Sequence, residues 1–440
     1  MKRLVDEELL KWKKESPRKV LLIRGARQVG KTYSVRNLGK EFISFLEVNF
    51  EEEPEVKSFF ERSLNPHVII EKLSIYFGSQ IIPGETLLFF DEIQSSLNAL
   101  KSLRFFYEKI PDLHLVAAGS LLEFAISEIP SFGVGRIRSL YMYPMTFNEY
   151  LHASGNGQMA NLIKISSAKK SMDDIIHKKI IDTLMTFQII GGMPEVVKKY
   201  IKDKNFLSCQ MLIDDLVSTI YDDFAKYKKK SPVIRLKEVF SSIIYQTGNK
   251  FKYANIGSIG GHQSYKDALE LLVKAGLAYK VCHTSAQGIP LSSQINSKKF
   301  KVLIFDTGIY QRISGLDLSE YMITDYKSLI NKGSFSELYV GLELIKNYSH
   351  YSLPEVYYWH REARSSNAEI DYVISRGNKI IPIEVKAGTK GQMQSLYIFL
   401  KGRDIKKGLR VSHENFADYD QIETIPAYAV NNIYLKKQIN

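Results

Sequence analysis

Two groups of residues in this 440-residue chain have types and spacings that could do chemistry. The first is Gly25, Ala26, Arg27, Gln28, Val29, Gly30, Lys31 and Thr32, which spell G-x-x-x-x-G-K-T. At that spacing a backbone loop curls its N–H groups around phosphate oxygens, and a helix N-terminus adds partial positive charge. Lys31 would reach the outer phosphates of a nucleoside triphosphate, and the Thr32 hydroxyl would ligate Mg²⁺. Asp91 and Glu92 close an apolar run further on. There Asp91 would hold the metal, directly or through water, and Glu92 would polarise the attacking water; a helix N-cap is their plainer alternative. Ser120 ends a third apolar run, where a hydroxyl either senses the γ-phosphate or caps a helix. Arg136 follows a glycine-rich stretch and is a candidate arginine finger, with an ordinary surface arginine as the alternative. A finger supplied in trans would make the working form a homo-oligomer. No N-K-x-D follows a later strand pattern, so ATP is expected rather than GTP.

The second group is Asp371, Glu384 and Lys386. Ala368–Ile374 and Lys379–Ala387 read as strands joined by a turn at Arg376-Gly377-Asn378. Residues two apart on a strand share a face, so Glu384 and Lys386 point the same way, and the hairpin brings Asp371 opposite. Pro382 suggests a bulge or an edge, which leaves the face of Asp371 open. Two carboxylates and a lysine can bind one or two Mg²⁺ or Mn²⁺ ions and activate water against a phosphodiester. Glu337, on the helical pattern Phe335–Tyr348, would complete a ligand set of Glu337, Asp371 and Glu384. The alternatives are a salt-bridged sheet face for the strand residues and a capping box, Ser334-x-x-Glu337, for the glutamate.

These residues need particular elements to position them. The phosphate loop follows the apolar run Val20–Ile23 and precedes a helical pattern through Val35 and Leu38, the strand–loop–helix context that gives the motif meaning. Ile43–Phe50, Glu85–Glu92 and His114–Ala118 also read as strands. Runs apolar on both faces belong in a parallel sheet, whose ligands gather at the carboxyl ends of the strands. From Pro144 the pattern turns helical, with a polar boundary at 155–171 and a breaker at Gly191-Gly192-Met193-Pro194. Residues 144–225 are expected to form a helical lid. Lys226–Ser231 opens a basic module with an amphipathic helix, a second helix from about Gln263 to Ala275, and strands at Leu277–Val281 and Phe300–Phe305. Those are the parts of a winged helix, with His262, Gln263, Ser264, Tyr265 and Lys266 as its groove readers; packing between domains is the alternative.

Length implies two to four domains. Hydrophobic residues make up 45% and charged residues 25%, as in a globular protein, and no apolar run is long enough to span a membrane. The charged N-terminus is unlike a signal peptide. Two cysteines, Cys209 and Cys282, exclude a disulfide framework and a zinc cluster, and a cytoplasmic setting is expected. Residues 1–150 hold equal numbers of basic and acidic side chains, so the whole net charge of +12 lies in residues 151–440. Such a surplus suits a polyanionic partner such as nucleic acid, or simply a lysine-rich solvated surface.

Nearly end to end, the chain resembles the prokaryotic AAA-like ATPases whose C-terminal half is classed as a domain of unknown function with a restriction-endonuclease-like core. The resemblance rests on LIRGARQVGKT, LLFFDEIQ, AAGSLL, GRIRSLYMYPMTFNEYL, GGMPEVV, IYDDFAKY, KVLIFDTGIY, NKGSFSELYV, EIDYVI and IPIEVKAG. Residue 26 is Ala where many members carry Pro. The resemblance implies an α/β chain: a P-loop NTPase parallel sheet (1–143), a helical lid (144–225), a winged-helix module (226–310) and a restriction-endonuclease-like domain of PD-(D/E)XK type (311–440). It also implies that Asp91 and Glu92 form the Walker B pair, that Asp371, Glu384 and Lys386 fall on the nuclease-like signature, and that Glu337 is the helix-borne acid. The expected function is an Mg²⁺-dependent ATPase that engages nucleic acid, with metal-dependent cleavage by the C-terminal domain. The alternative is a nucleotide-switched interaction protein in which the nuclease-like domain is a scaffold.

Overall fold

The computed structural model describes residues 1–120, 122–129, 132–133, 135–227, 231–257, 261–315, 332–361, 368–388 and 393–435. The chain divides into two units. One is Met1–Tyr143 with Lys274–Gly276 and Ser349–Leu353; the other is Pro144–Val273 with Leu277–Tyr348 and Pro354–Asn440.

The first unit contains α1 (Leu4–Lys13), β1 (Val20–Arg24), α2 (Lys31–Gly39), β2 (Ser44–Asn49), α3 (Pro66–Phe77), β3 (Thr86–Asp91), α4 (Leu97–Lys109), β4 (His114–Ala118), α5 (Leu122–Ser127) and β5 (Ile137–Tyr141). Every strand pair is parallel, in the order β2-β3-β4-β1-β5. All residues of β3 and β4 are buried, which is why these strands read as unbroken apolar runs: helices cover both faces of the sheet. Phe50, Phe60, Phe90 and Phe106 meet edge to face in the core, with centroids 5.5–5.8 Å apart. Fully burying each ring contributes about 1.5–3 kcal/mol. The register sets Ile23 beside Ala118 and Phe90 beside Ala117. The carboxyl ends of β1, β4 and β3 therefore lie next to one another.

The second unit begins with α6 (Phe147–Ala153), α7 (Gly157–Ile165), α8 (Asp174–Ile190), α9 (Pro194–Asp203), α10 (Phe206–Asp223), α11 (Val233–Tyr245) and α12 (His262–Lys274). It continues with β6 (Ala278–Thr284), β7 (Ile295–Ile304), α13 (Thr307–Ser314), α14 (Lys332–Lys346), β8 (Tyr357–His360), β9 (Glu369–Arg376), β10 (Lys379–Val385), α15 (Gln394–Lys401), β11 (Gly408–Ser412), β12 (Ala417–Tyr419), β13 (Ile422–Pro426) and α16 (Asn432–Leu435). Its mixed sheet runs β12-β13-β11-β10-β9-β8-β6-β7. The chain is thus an α/β protein with a five-stranded parallel sheet of the P-loop NTPase kind and a separate mixed sheet.

Two expected boundaries fall inside the second unit. The helices of 144–225 share bonds with its C-terminal part: Phe147 N–H donates to Glu343, Asn432 Nδ2 donates to the Ile163 carbonyl, and Asn415 Nδ2 donates to the Met172 carbonyl. The β6–β7 hairpin, expected to belong to a winged-helix module ending at residue 310, is also part of the eight-stranded sheet, because β6 pairs in parallel with β8 across that boundary. The GGMPEVV and KVLIFDTGIY motifs meet at one buried carboxylate. Asp306 accepts from Gly192 N–H at 2.7 Å, Gly308 N–H at 2.9 Å and Ile309 N–H at 3.2 Å, capping α13. Gly191 has φ 74°, and a Cβ there would lie 2.3 Å from Asp306 Oδ1. No helix among the described residues is long and apolar enough to cross a membrane. Cys209 and Cys282 are both free.

Candidate functional site: the phosphate loop and the C-terminal carboxylates

The phosphate loop joins β1 to α2. Gly25 takes φ 147°, Gln28 takes 62° and Gly30 takes 95°. A Cβ on Gly25 would sit 2.1 Å from the Met142 carbonyl oxygen, so only glycine fits there. Helix α2 starts at Lys31 with no side-chain cap, which leaves its first-turn N–H groups directed toward the loop. Lys31 is buried, and its ammonium donates back to the carbonyls of Gly25 at 3.0 Å and Ala26 at 2.7 Å. Burial lowers its pKa to about 8, against the opposing pull of Glu92 and Asp91.

The carboxyl ends of β3 and β4 complete the arrangement. The Thr32 hydroxyl donates to Asp91 Oδ2 at 2.7 Å. These two hard oxygens suit Mg²⁺ as a donor set. The Asp91 carboxyl, buried at the end of β3, is pushed above its ordinary pKa by that burial. Glu92 follows with φ 48°, and its N–H donates to Asp91 Oδ1. Ser120 is buried after β4, and its Oγ accepts from Arg27 Nε at 3.2 Å. The fold therefore gathers Gly25–Thr32, Asp91, Glu92 and Ser120 at one edge of the sheet. Arg136 is not among them. It precedes β5, whose Ile137 pairs with Val20 at the start of β1, and it forms an ion pair with Glu108. A strand's length, about 17 Å for five residues, separates that end of the sheet from the phosphate loop of the same chain.

Two further residues belong to this site. Gln94 Nε2 donates to Glu92 Oε2 at 2.6 Å and so fixes the carboxylate expected to address water. Gly119 makes room for it, since a Cβ there would lie 2.0 Å from Gln94 Oε1. The signal was present in the sequence as a polar residue two positions after Glu92. Arg3, just before α1, is buried and donates to the Val29 carbonyl at 2.7 Å and the Tyr143 carbonyl at 2.8 Å. A lone basic residue near the N-terminus gives no comparable signal.

In the second unit the hairpin forms as expected, with Ile383 paired to Tyr372 and a regular register. Pro382 makes no bulge; it sits just before the β10–β11 ladder, which begins at Ile383. Asp371 Oδ2 accepts from Val385 N–H at 2.7 Å, and Lys386 Nζ pairs with Glu384 Oε1 at 2.9 Å. Glu337 faces the same cluster. The capping-box alternative fails, because Ser334 lies inside α14 rather than ahead of it.

Sequence reading missed the centre of this cluster. Lys301 reaches in from β7, 1% exposed, with its Nζ 2.7 Å from Glu337 Oε1, 2.5 Å from Glu369 Oε1 and 3.9 Å from Asp371 Oδ1. Burial works to lower its pKa, but Glu337, Asp371 and Glu369 outweigh it and hold the ammonium above its ordinary value. Burial raises Glu337 to about 8 and, with help from Asp371, Glu384 to about 7. Among the described residues no group of three or more His, Cys, Asp or Glu side chains is arranged to hold a metal ion, and this covers the expected set Glu337, Asp371 and Glu384. A lysine inside the apolar run Phe300–Phe305 was the available signal, because a buried charge requires partners.

Comparison with known proteins gives three successive family matches along the chain. Residues 17–151 match the family model for an AAA domain, residues 181–320 match a domain of unknown function (DUF8612), and residues 332–430 match another (DUF4143). No curated protein matches the sequence. Among solved structures, the Walker-type ATPase PABY2304 of Pyrococcus abyssi is 14% identical, with a TM-score of 0.46 over 71% of this chain and 95% of that one. The Aeropyrum pernix Orc1 protein, solved in complex with DNA, is 12% identical, with a TM-score of 0.30 over 72% of this chain and 93% of that one. Likenesses this distant assign no activity. The family matches make the chain similar to an AAA-type P-loop domain followed by two domains of unknown function.

Proposed function

We propose that this chain is an Mg²⁺-dependent ATPase whose basic C-terminal half engages nucleic acid. The observation that carries the reading is the Thr32–Asp91 hydrogen bond, which joins the phosphate loop to the end of β3 at 2.7 Å. It puts the two expected metal-binding oxygens together, with Glu92 next in sequence. Mg²⁺, when bound there, would neutralise charge on the β- and γ-phosphates. The chain's own residues do the rest. The loop N–H groups and the Lys31 ammonium bind phosphate, which requires Lys31 to leave the carbonyls of Gly25 and Ala26. Ser120 lies beside the loop, bonded to Arg27 within it, where its hydroxyl can sense the γ-phosphate. Glu92, held by Gln94, orients and deprotonates water.

The test is ATP turnover and nucleotide binding by purified protein. Lys31→Ala should lose nucleotide binding. Glu92→Gln should still bind ATP but turn it over at least about 100-fold more slowly. Unchanged turnover in both variants would sink the assignment.

The lopsided charge supports nucleic acid as the partner. Of the expected groove readers, His262, Gln263 and Lys266 are exposed near the start of α12, whereas Tyr265 is buried. A second reading, a nucleotide-switched interaction protein with a non-cleaving scaffold, is favoured by the lysine at the centre of the C-terminal carboxylates.

A further inference from the structure

The C-terminal carboxylates invite a divalent ion only while Lys301 is left out. Glu337 on α14 and Glu369 and Asp371 on β9 converge from two elements. Unscreened, three carboxylates so close together would repel one another strongly, and protonation or a neighbouring cation relieves that repulsion. In this chain the cation is part of the polypeptide. Lys301 Nζ lies within hydrogen-bond distance of Glu337 and Glu369 and near Asp371. The Tyr358 ring, 5.4 Å from that nitrogen, backs it from the sheet.

The surroundings hold this arrangement in place. Lys301 pairs with Val281 in the β6–β7 ladder, so its backbone cannot slide. The Tyr372 hydroxyl donates to the Glu337 carbonyl at 2.8 Å and pins α14 to β9. Gly341 permits that approach, since a Cβ there would lie 2.2 Å from the hydroxyl. A divalent ion takes carboxylate oxygens at about 2.0–2.6 Å. Bound by Glu337 and Asp371, it would therefore sit within a few ångströms of the buried Lys301 ammonium.

We infer that Lys301 is the resident cation of this cluster, standing where a divalent metal would otherwise bind, so that the C-terminal unit performs no metal-dependent phosphodiester cleavage. The restriction-endonuclease-like signature then survives as a folding device, with carboxylates and lysine together joining α14 to the mixed sheet. The inference is independent of ATP hydrolysis, which uses residues of the other unit.

Mn²⁺ binding to the nucleotide-free full chain tests this, read from the loss of the free-ion electron paramagnetic resonance signal. Wild type and Asp371→Asn should bind Mn²⁺ identically. Lys301→Met should melt at lower temperature and recover at least about 2 °C on adding Mn²⁺. That recovery should be absent in wild type and in the Lys301→Met/Asp371→Asn double variant. The inference is overturned if wild type holds an Mn²⁺ ion that Asp371→Asn loses. Mn²⁺-dependent nicking of plasmid DNA that disappears in Asp371→Asn while ATP turnover persists would do the same. So would a folded Lys301→Met that gains nothing from Mn²⁺. Should Lys301→Met fail to fold, the comparison of wild type with Asp371→Asn decides alone.

Discussion

At the scale of single residues, the phosphate loop is self-satisfied. Lys31 bonds to its own loop carbonyls and Thr32 to Asp91, so nucleotide binding exchanges these bonds for phosphate and metal contacts. Burial sets the lysine's pKa at about 8. Below that pH the free protein already carries the ammonium that phosphate needs; above it, binding must take up a proton. ATP affinity should fall by up to about tenfold per pH unit above pH 8. Calorimetry in buffers of different ionisation heat should find proton uptake near zero at pH 7 and approaching one at pH 9. No uptake at pH 9 would contradict the lysine's role. Gln94 is a positioning residue, since it acts only through Glu92. Gln94→Ala should lower kcat about 10-fold with little change in KM, and Gln94→Ala/Glu92→Gln should be no slower than Glu92→Gln alone, because both changes remove the same function. Additive losses would show that Gln94 does something else.

At the scale of elements, α14 is the strut of the second unit. Glu337 meets Lys301 and Tyr372 from one turn, while Glu343 accepts from the Phe147 N–H at the start of α6 and from Asn347. Burial raises the Glu343 carboxyl to about 7, with Lys346 and the Phe147 bond opposing. A carboxyl whose folded pKa lies above its unfolded value contributes stability that is complete below about 4.5 and lost as pH rises through 7. Glu343→Gln keeps an acceptor for Phe147 without the titration. Its unfolding free energy should fall less between pH 5 and 8 than that of wild type, by roughly 3 kcal/mol at most. Urea titrations at the two pH values check this, and parallel pH slopes would exclude it. The β6–β7 hairpin teaches a related lesson. Sequence marks two strands and a loop, but which strand lies beside them is chosen by an edge contributed much later in the chain, β8.

At the scale of the whole molecule, charge separates the two halves of the sequence: residues 1–150 are balanced and residues 151–440 carry +12. A nucleic-acid partner held by lysine and arginine should lose affinity by about 10³–10⁵-fold between 50 and 200 mM salt if six to ten phosphates are contacted. Fluorescence anisotropy with a labelled duplex and a single strand across that series, alongside DNA-stimulated ATP turnover, gives the measurement. Affinity for DNA that is absent, or flat with salt, would favour a protein partner held by apolar contact.

By itself the sequence determined almost completely which residues meet at the phosphate loop. Gly25–Thr32 is contiguous, and Asp91 and Glu92 end a run too apolar to be anything but an inner strand, so local pattern and parallel-sheet geometry sufficed. The hairpin that carries Asp371 and Glu384 was legible for the same reason, its turn being local. What only tertiary structure decided is which charges share a cluster. Lys301 and Glu369 stand far apart in the chain, and their 2.5 Å contact follows from the strand order β7-β6-β8-β9, which no local period encodes. Arg136 shows the converse: it follows a glycine-rich stretch that suggested a role at the nucleotide, yet the register of β5 against β1 sets it at the opposite end of the sheet. A residue's chemistry is fixed by its type and nearest neighbours in sequence. Its electrostatic partner is fixed by topology.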